Sequence, residues 1–430
     1  MRKAQHLPRP DLQRLQRRVL LLCWAAYALA YVGRVNLSVA IPDLQVALQL
    51  DKAQVGLIGS LFFWIYGVGQ LVNGSLGDRF SSRIFIAVGL GVAGLANLCF
   101  GLSGSLLMLL VFWSLNGFFQ SMLWGPISKS LSVWFSHERR GRVIVAISTS
   151  MVAGYLLAWG GGGLLVSLAG WRWTFLVPGA ALLLFVPVWL RWKMDHPLQA
   201  GLDSPNPHAW TPAESAARTP AAHAPSLAAF IVRSRLWLVV IACLAQGTVK
   251  EGIGLWAPSF LSETLGIPLA DTLVVLLSIP LMNFAGILLA GWLNRAFGHR
   301  EKSAAAVLFG IAFLSSVGLL LSGGSHPAAT LMFLGLSSAA IYGVNTLLLG
   351  VLPLGFAKEN KVSSVAGFLD FSSYLAAGAA AVLTGFLADR YGWNSVLFLW
   401  IGATVVGAFA MILDQRKPPA RFVPNEEDTI

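Results

Sequence analysis

The sequence contains few charged residues and few cysteines for its length. Only 11% of its 430 residues are Asp, Glu, Lys or Arg, whereas 56% are hydrophobic, and the mean hydropathy is +0.70. Ordinary soluble domains contain about 25% charged residues, so this composition excludes a soluble protein and indicates a chain embedded in a lipid bilayer. The three cysteines lie far apart within apolar runs, which argues against a disulfide framework and against a cysteine metal site.

The apolar runs also lack histidine. All seven histidines fall in predicted loops or tails, which argues against a histidine proton relay or a histidine metal site inside the membrane. An enzyme would need a nucleophile, a base and an orienting group at membrane depth, and the runs offer two carboxylates without a histidine. We therefore expect neither an enzyme nor a bound cofactor or metal.

The apolar runs are long enough to cross a bilayer, which takes about 20 residues for each helix. Twelve runs are separated by Gly, Pro and charged clusters, and they predict an all-α membrane protein with twelve transmembrane helices. The predicted spans are 19–41, 55–76, 84–102, 106–131, 143–168, 174–192, 236–261, 271–293, 303–322, 328–354, 361–387 and 395–413. The first run is too long for a signal-peptide core and is expected to be retained.

The chain divides into two related parts of six helices each. Residues 194–229 are rich in Pro, Ala, Ser and His and predict a flexible cytoplasmic linker between a half at 1–193 and a half at 230–430. The segment GSLGDRFSSR at 74–83 follows the second span, and GWLNRAFGHR at 291–300 follows the eighth. Such an internal repeat is typical of transporters whose binding site lies between two halves at the bilayer midplane.

The basic residues are distributed unevenly between the loops. If the N-terminus is cytoplasmic, 24 of the 30 Lys and Arg residues fall in inner segments and only Lys52, Arg172 and Arg390 fall in outer loops. The positive-inside rule then places both termini in the cytoplasm, and we expect a multi-pass protein of the cell membrane, the inner membrane of a bacterium. Because the basic residues are dispersed among short loops, a nucleic-acid partner is not expected, and the chain is expected to be a monomer.

Apart from Arg191, Asp271 and Lys361 at the span ends, five charged residues fall within the predicted spans. Lys129 lies near an interface that its side chain can reach, whereas Arg34 and Lys250 lie deep in the first and seventh spans, at matching depths. Two cations that face one cavity repel each other unless an anion lies between them, which predicts a small-molecule anionic substrate. Glu251 and Asp370 can neutralise these cations, bind a substrate amine or carry a coupling proton.

Polar and aromatic residues in the fourth span share one helix face. Asn116, Gln120 and Trp124 follow each other at intervals of four, so they are expected to line the cavity. Ordinary helix packing explains the same spacing.

Two loop motifs carry a resemblance to a known superfamily. The segment GSLGDRFSSR resembles the loop after the second helix of the major facilitator superfamily, and WFSHERRGR at 134–142 is similar to the segment between its fourth and fifth helices. The resemblance implies the major facilitator fold and a gating role for Asp78, Arg79, Arg83 and Arg142, which would form charge contacts at the inner face in the outward-open state. Simple cytoplasmic anchoring is the alternative role for these charges.

Longer segments resemble one family within that superfamily, the organophosphate:phosphate antiporters, which include glycerol-phosphate and hexose-phosphate carriers. The segments are YALAYVGRVNLSVAIPDL at 27–44, NGFFQSMLWGPISKSLSVWFSHERRG at 116–141, LWAPSFLSETLG at 255–266 and AIYGVN at 340–345. The resemblance implies that Arg34 and Lys250 occupy the positions of the two phosphate-binding arginines. It further implies substrate-binding roles for Tyr27, Tyr31, Tyr66, Gln120, Trp124, Tyr342, Asn345 and Tyr374.

Several positions depart from the family's pattern. The second arginine is Lys250, the fifth-helix histidine position holds Met151, and the second-helix lysine position holds Gln70. This loss of positive charge, together with Glu251 and Asp370, favours a zwitterionic or less charged phospho- or phosphono-compound over a simple sugar phosphate.

The function expected from these features is secondary transport of a small phosphorylated or phosphonate organic anion by alternating access, in exchange for inorganic phosphate. The phrase RVNLSVAIP also resembles the first helix of anion:cation symporters, so proton-coupled symport of an organic anion is the alternative. Some members of the antiporter family are sensors, and a transporter-like sensor of an organophosphate is a further alternative.

Overall fold

A computed structural model describes residues 11–203, 205, 236–266, 277–323, 326–353 and 362–415. These residues form fourteen α-helices and contain no β-strand, which confirms the all-α prediction. The first half contributes α1 (Leu12–Leu48), α2 (Lys52–Arg79), α3 (Ser82–Leu102), α4 (Leu106–Gln120), α5 (Trp124–Trp134), α6 (His137–Leu156), α7 (Gly162–Ala169) and α8 (Trp173–Trp192). The second half contributes α9 (Trp237–Leu265), α10 (Ser278–Ala296), α11 (Glu301–Ser322), α12 (Pro327–Asn345), α13 (Val362–Tyr391) and α14 (Trp393–Gln415).

Eleven helical segments in this part of the chain are long and apolar enough to cross a membrane. They match eleven of the twelve predicted spans. The remaining span, predicted at 271–293, starts outside the described residues, and its described part is α10. The predicted linker at 194–229 is described only at its start, where Pro197–Ala200 forms a 3-10 turn, and most of it lies outside the described residues.

The first two helices begin earlier than the apolar pattern predicts. Asp11 accepts a hydrogen bond from the Gln13 backbone nitrogen at 2.9 Å, and this cap starts α1 seven residues before the predicted span. Asp51 and Gln54 form a reciprocal capping box that starts α2 at Lys52. Capping thus extends both helices beyond their apolar segments.

The fourth span of each half is irregular towards its C-terminal end. In the first half, α4 and α5 are separated by a turn at residues 121–123, and Pro126 in the first turn of α5 has no backbone N–H to donate to the Met122 carbonyl. In the second half, α12 passes into a π-helical segment at Thr346–Val351. A second π-helical segment, Leu157–Gly161, connects α6 and α7. Such wide turns occur often at functional sites.

The two halves meet along α2 and α13, and we call this contact the α2–α13 seam. A Cβ atom added to Gly56 would lie 2.7 Å from the Ala381 carbonyl oxygen, so the two backbones approach too closely for a larger residue there. The Ser60 hydroxyl donates to the Gly378 carbonyl, and the Trp64 indole donates to the Leu375 carbonyl at 3.0 Å. The seam is therefore closely packed and also polar.

One end of the seam carries a cluster of charges, which we call the Lys52 cluster. Lys52 Nζ lies 2.8 Å from Glu263 Oε2 and 3.7 Å from Asp389 Oδ1, and the Lys52 backbone nitrogen donates to Asp389 Oδ2 at 2.9 Å. The Trp393 indole donates to Glu263 at 3.0 Å. Lys52 belongs to the first half and its partners belong to the second, so the cluster holds this end of the bundle closed.

Candidate substrate-binding site

Arg34 of α1 lies at the interface of the two halves, within a group of aromatic rings. Its guanidinium donates to the Tyr374 hydroxyl at 2.5 Å. The guanidinium carbon lies 4.4 Å from the centroid of the Tyr66 ring and 5.4 Å from those of Tyr31 and Phe62. The side chain is only 7% exposed, so the rings replace most of the water that would otherwise solvate this cation.

The structure brings Lys250 of α9 to the same place. Lys250 Nζ lies 5.6 Å from the Tyr374 ring centroid and 5.7 Å from the Tyr342 ring centroid. The anion next to both cations is Glu251, whose Oε1 lies 2.7 Å from Lys250 Nζ and 3.9 Å from an Arg34 nitrogen. We call Arg34, Lys250 and Glu251 the charge triad, and each of its side chains is at least 92% buried.

Aromatic residues from both halves extend the site around the charge triad. Tyr27 packs against Tyr31 and Trp124 with ring centroids 5.1 Å apart in both pairs. Tyr66 and Tyr374, which belong to opposite halves, have centroids 4.7 Å apart. All five tyrosines predicted for the site, together with Trp124, therefore lie in this layer or directly beside it.

Asn116 and Gln120 support the site from behind. The Asn116 side chain donates to the Gly33 carbonyl at 2.9 Å, and Gln120 donates to the same oxygen at 3.2 Å. Asn97 of α3 donates to that carbonyl as well, at 3.1 Å. Three amides thus fix the backbone directly before Arg34, whereas the prediction that Asn116 and Gln120 line the cavity stays a prediction.

Asn345 and Asp370 lie on the side of the second half. Asn345 accepts a hydrogen bond from Gln246 at 3.1 Å, and Gln246 accepts one from Ser373 at 2.8 Å, which connects α12, α9 and α13. Asp370 is partly exposed and forms no hydrogen bond or ion pair with another described residue.

A small cavity lies beside the charge triad. It has a volume of about 10 Å³ and is lined by Met151, Tyr155, Asn283 and Tyr342, among others. This volume is about that of one water molecule and is too small for an organophosphate. A substrate that reaches the charge triad through this cavity must displace side chains or separate the two halves.

The predicted gating residues are described only in part. The side chains of Asp78, Arg79 and Arg142 lie outside the described residues. The Arg83 guanidinium donates to the Leu190 carbonyl of its own half. Lys129, which was predicted to reach an interface, donates to the Gly77 carbonyl at 3.0 Å.

Three residues of the site were not predicted from the sequence. Phe62 precedes Tyr66 by four residues, and Gln246 precedes Lys250 by four, so helical spacing places each on the face of a predicted site residue. Tyr155 follows Met151 by four residues, and its ring centroid lies 5.8 Å from that of Tyr31. An extension of each motif by one helical turn would have identified all three residues.

Comparison with known proteins agrees with this arrangement. The chain is 26% identical over 407 residues to a probable hexose phosphate transport protein of Chlamydia muridarum, covering 90% of this chain and 88% of that protein. It is 27% identical to the glycerol-3-phosphate transporter of Bacillus subtilis, covering 95% and 96% of the two chains. It is also 27% identical to the membrane sensor protein UhpC of Escherichia coli, covering 93% and 91%. These names confirm the resemblance to organophosphate carriers.

The fold is also that of a solved transporter. A bacterial homologue of the human lysosomal transporter Spinster, in an inward-facing and unoccupied conformation, superposes with a TM-score of 0.75 at 16% identity and covers 94% of this chain and 97% of that one. The sequence model of the Major Facilitator Superfamily matches residues 23–381. The protein therefore belongs to the Major Facilitator Superfamily and is a transporter-type membrane protein rather than an enzyme.

Proposed function

We propose that the protein is a secondary transporter of a small phosphorylated or phosphonate organic anion, with inorganic phosphate as its exchange partner, in the inner membrane of a bacterium. The observation that carries the proposal is the convergence of Arg34 and Lys250, one from each half, on a single carboxylate oxygen at the centre of the bundle. That oxygen, Glu251 Oε1, stands in for an oxygen of the substrate's phosphate group. Relatives named as hexose phosphate and glycerol-3-phosphate carriers support the same substrate class.

The two cations complement a phosphoryl group in different ways. The Arg34 guanidinium offers a planar fork for two phosphate oxygens, whereas Lys250 acts as a point charge. The Tyr374 hydroxyl, 2.5 Å from Arg34, orients that fork. The site contains two cations and two carboxylates, Glu251 and Asp370, so a substrate with an amine beside its phosphoryl group also finds a partner for the amine.

Alternating access in this proposal is a rocking of the two halves around the charge triad. The Lys52 cluster and the α2–α13 seam close one end of the bundle in this structure. When they separate, Arg34 and Lys250 become accessible from that side. The positive-inside pattern assigns this end to the outside of the cell.

Counterflow in proteoliposomes tests the proposal. Vesicles loaded with phosphate should accumulate glycerol phosphate or an aminophosphonate, at a rate that does not depend on an imposed pH gradient. Uptake driven by protons without internal anion would contradict phosphate exchange. Normal transport in both Arg34→Ala and Lys250→Ala would exclude the proposed phosphate site.

Proton-coupled symport is the second candidate because Asp370 has no hydrogen-bond or ion-pair partner among the described residues. A carboxylate in that situation can take up a proton together with the substrate. Similarity to a protein named a membrane sensor supports a third candidate, a receptor. Binding in detergent without flux in vesicles would identify the receptor.

A further inference from the structure

We infer that Glu251 is a built-in counter-anion, which allows the carrier to change conformation without substrate and so makes phosphate exchange optional rather than obligatory. The inference rests on the proposed function. It concerns the coupling of transport, because a carrier that returns empty catalyses net movement of its substrate. In this step Arg34 and Lys250 change their ion-pair partner between Glu251 and the substrate anion, and no covalent bond forms or breaks.

A site with two buried cations alone would enforce strict exchange. Without an anion, Arg34 and Lys250 would repel each other in a region where their side chains are 7% and 8% exposed. Closing the halves around them would be unfavourable, so the empty carrier would rarely cross. In such a site only the loaded form would change its conformation.

Glu251 removes this restriction in the present structure. Its Oε1 contacts Lys250 Nζ at 2.7 Å and lies 3.9 Å from Arg34, so one carboxylate serves the cations of both halves. The site is thus closed with its own anion in the position that we assign to the substrate's anion. The cations keep a partner whether or not a substrate is present.

The position of Glu251 in the sequence shows that this contact is not a consequence of helix spacing. Adjacent residues of a helix do not face each other, and the usual ion pairs within a helix join residues three or four apart. Lys250 and Glu251 are adjacent, yet both long side chains reach the same buried point. Burial and the presence of Arg34 therefore select the contact.

There is also space beside Glu251 into which its side chain can move when a substrate binds. Gly254 lies one turn further along α9, and its missing side chain leaves space between Glu251 and Tyr155. A Cβ atom added to Gly254 would lie 3.0 Å from the Tyr155 hydroxyl oxygen and 3.9 Å from Glu251 Oε2. A rotation of the Glu251 side chain towards Gly254 would bring the carboxylate nearer to that hydroxyl, which can donate a hydrogen bond to it.

The test measures two rates in proteoliposomes loaded with radiolabelled phosphate. One rate is exchange against external phosphate, and the other is net efflux into phosphate-free medium at a clamped membrane potential. The wild-type protein should show both. In Glu251→Gln, the ratio of net efflux to exchange should fall at least tenfold, because the empty carrier loses its counter-anion. Glu301→Gln, which removes a carboxylate at the start of α11, is the matched control and should change neither rate.

Glu251→Asp keeps the charge but withdraws it by one methylene, and the ratio of efflux to exchange should fall about threefold. This variant also decides the matter if Glu251→Gln does not fold. An unchanged ratio in both variants would overturn the inference, and so would an equal loss of both rates in Glu251→Gln, which would indicate a structural role. Absence of exchange in the wild-type protein would refute the proposed function itself.

Discussion

Replacement of Arg34 by lysine separates the contribution of its charge from that of its geometry. The substitution keeps one positive charge but removes the planar fork that donates to Tyr374 at 2.5 Å and points towards the anion position occupied by Glu251. One hydrogen bond to a charged group contributes about 1.5–3 kcal/mol. Because each 1.4 kcal/mol corresponds to about a factor of ten, we expect the affinity for phosphate to fall about 10- to 100-fold.

The assay is the phosphate concentration dependence of exchange in proteoliposomes, together with the phosphate-induced rise in melting temperature of the purified protein. Arg172→Lys is the matched control, since Arg172 lies at the end of the bundle, 3.5 Å from the Ser103 carbonyl and against Trp171. The control should change the affinity less than twofold. An Arg34→Lys protein with wild-type affinity in both assays would refute the assignment of a phosphate fork to this residue.

Three further outcomes are expected. Lys52→Gln removes two partly exposed ion pairs between the halves, each worth about 0.2–1 kcal/mol, and should raise the population open at that end about 2- to 30-fold in spin-label distance measurements. Lys302→Gln, whose partner lies in its own half, should leave the distances unchanged. Gly378→Val overpacks the α2–α13 seam and should cost about 1–3 kcal/mol in thermal unfolding, whereas Gly402→Val, which meets open space, should cost less than half of that. Asn116→Ala removes one of the three amide donors that bind the Gly33 carbonyl before Arg34, so the melting temperature should fall by several degrees. The order of preference among anions should stay the same. A change in that order would place Asn116 in contact with the substrate.

Most of the fold could be predicted because the apolar segments are long and clearly separated in the sequence. A bilayer requires long apolar helices, and hydropathy alone located eleven segments that the structure confirms. The helix ends were predicted less well, because they depend on short-range capping. Asp11 and Asp51 extend α1 and α2 into polar sequence that a hydropathy pattern does not count.

The charge triad was only partly predictable. Arg34, Lys250 and Glu251 could each be identified because a charged residue is unfavourable within a membrane span. The internal repeat indicated that Arg34 and Lys250 lie at the same depth in the bilayer. Sequence spacing could not indicate that Lys250 and Glu251 meet, since adjacent helical residues normally point apart. Phe62, Gln246 and Tyr155 were missed for a different reason, because each lies one helical turn away from a position that the family resemblance identifies.

The hydrogen bonds of the α2–α13 seam affect how easily water enters the transport path. When the halves separate at this end, the hydrogen bonds that Ser60 and Trp64 donate to carbonyls of α13 are broken. Each donor and each carbonyl then forms a hydrogen bond with water instead. That exchange costs little, because a hydrogen bond to water replaces a hydrogen bond within the protein. An entirely apolar interface would be costly to hydrate. The polar groups of this seam can instead line a water-filled vestibule once the halves have separated.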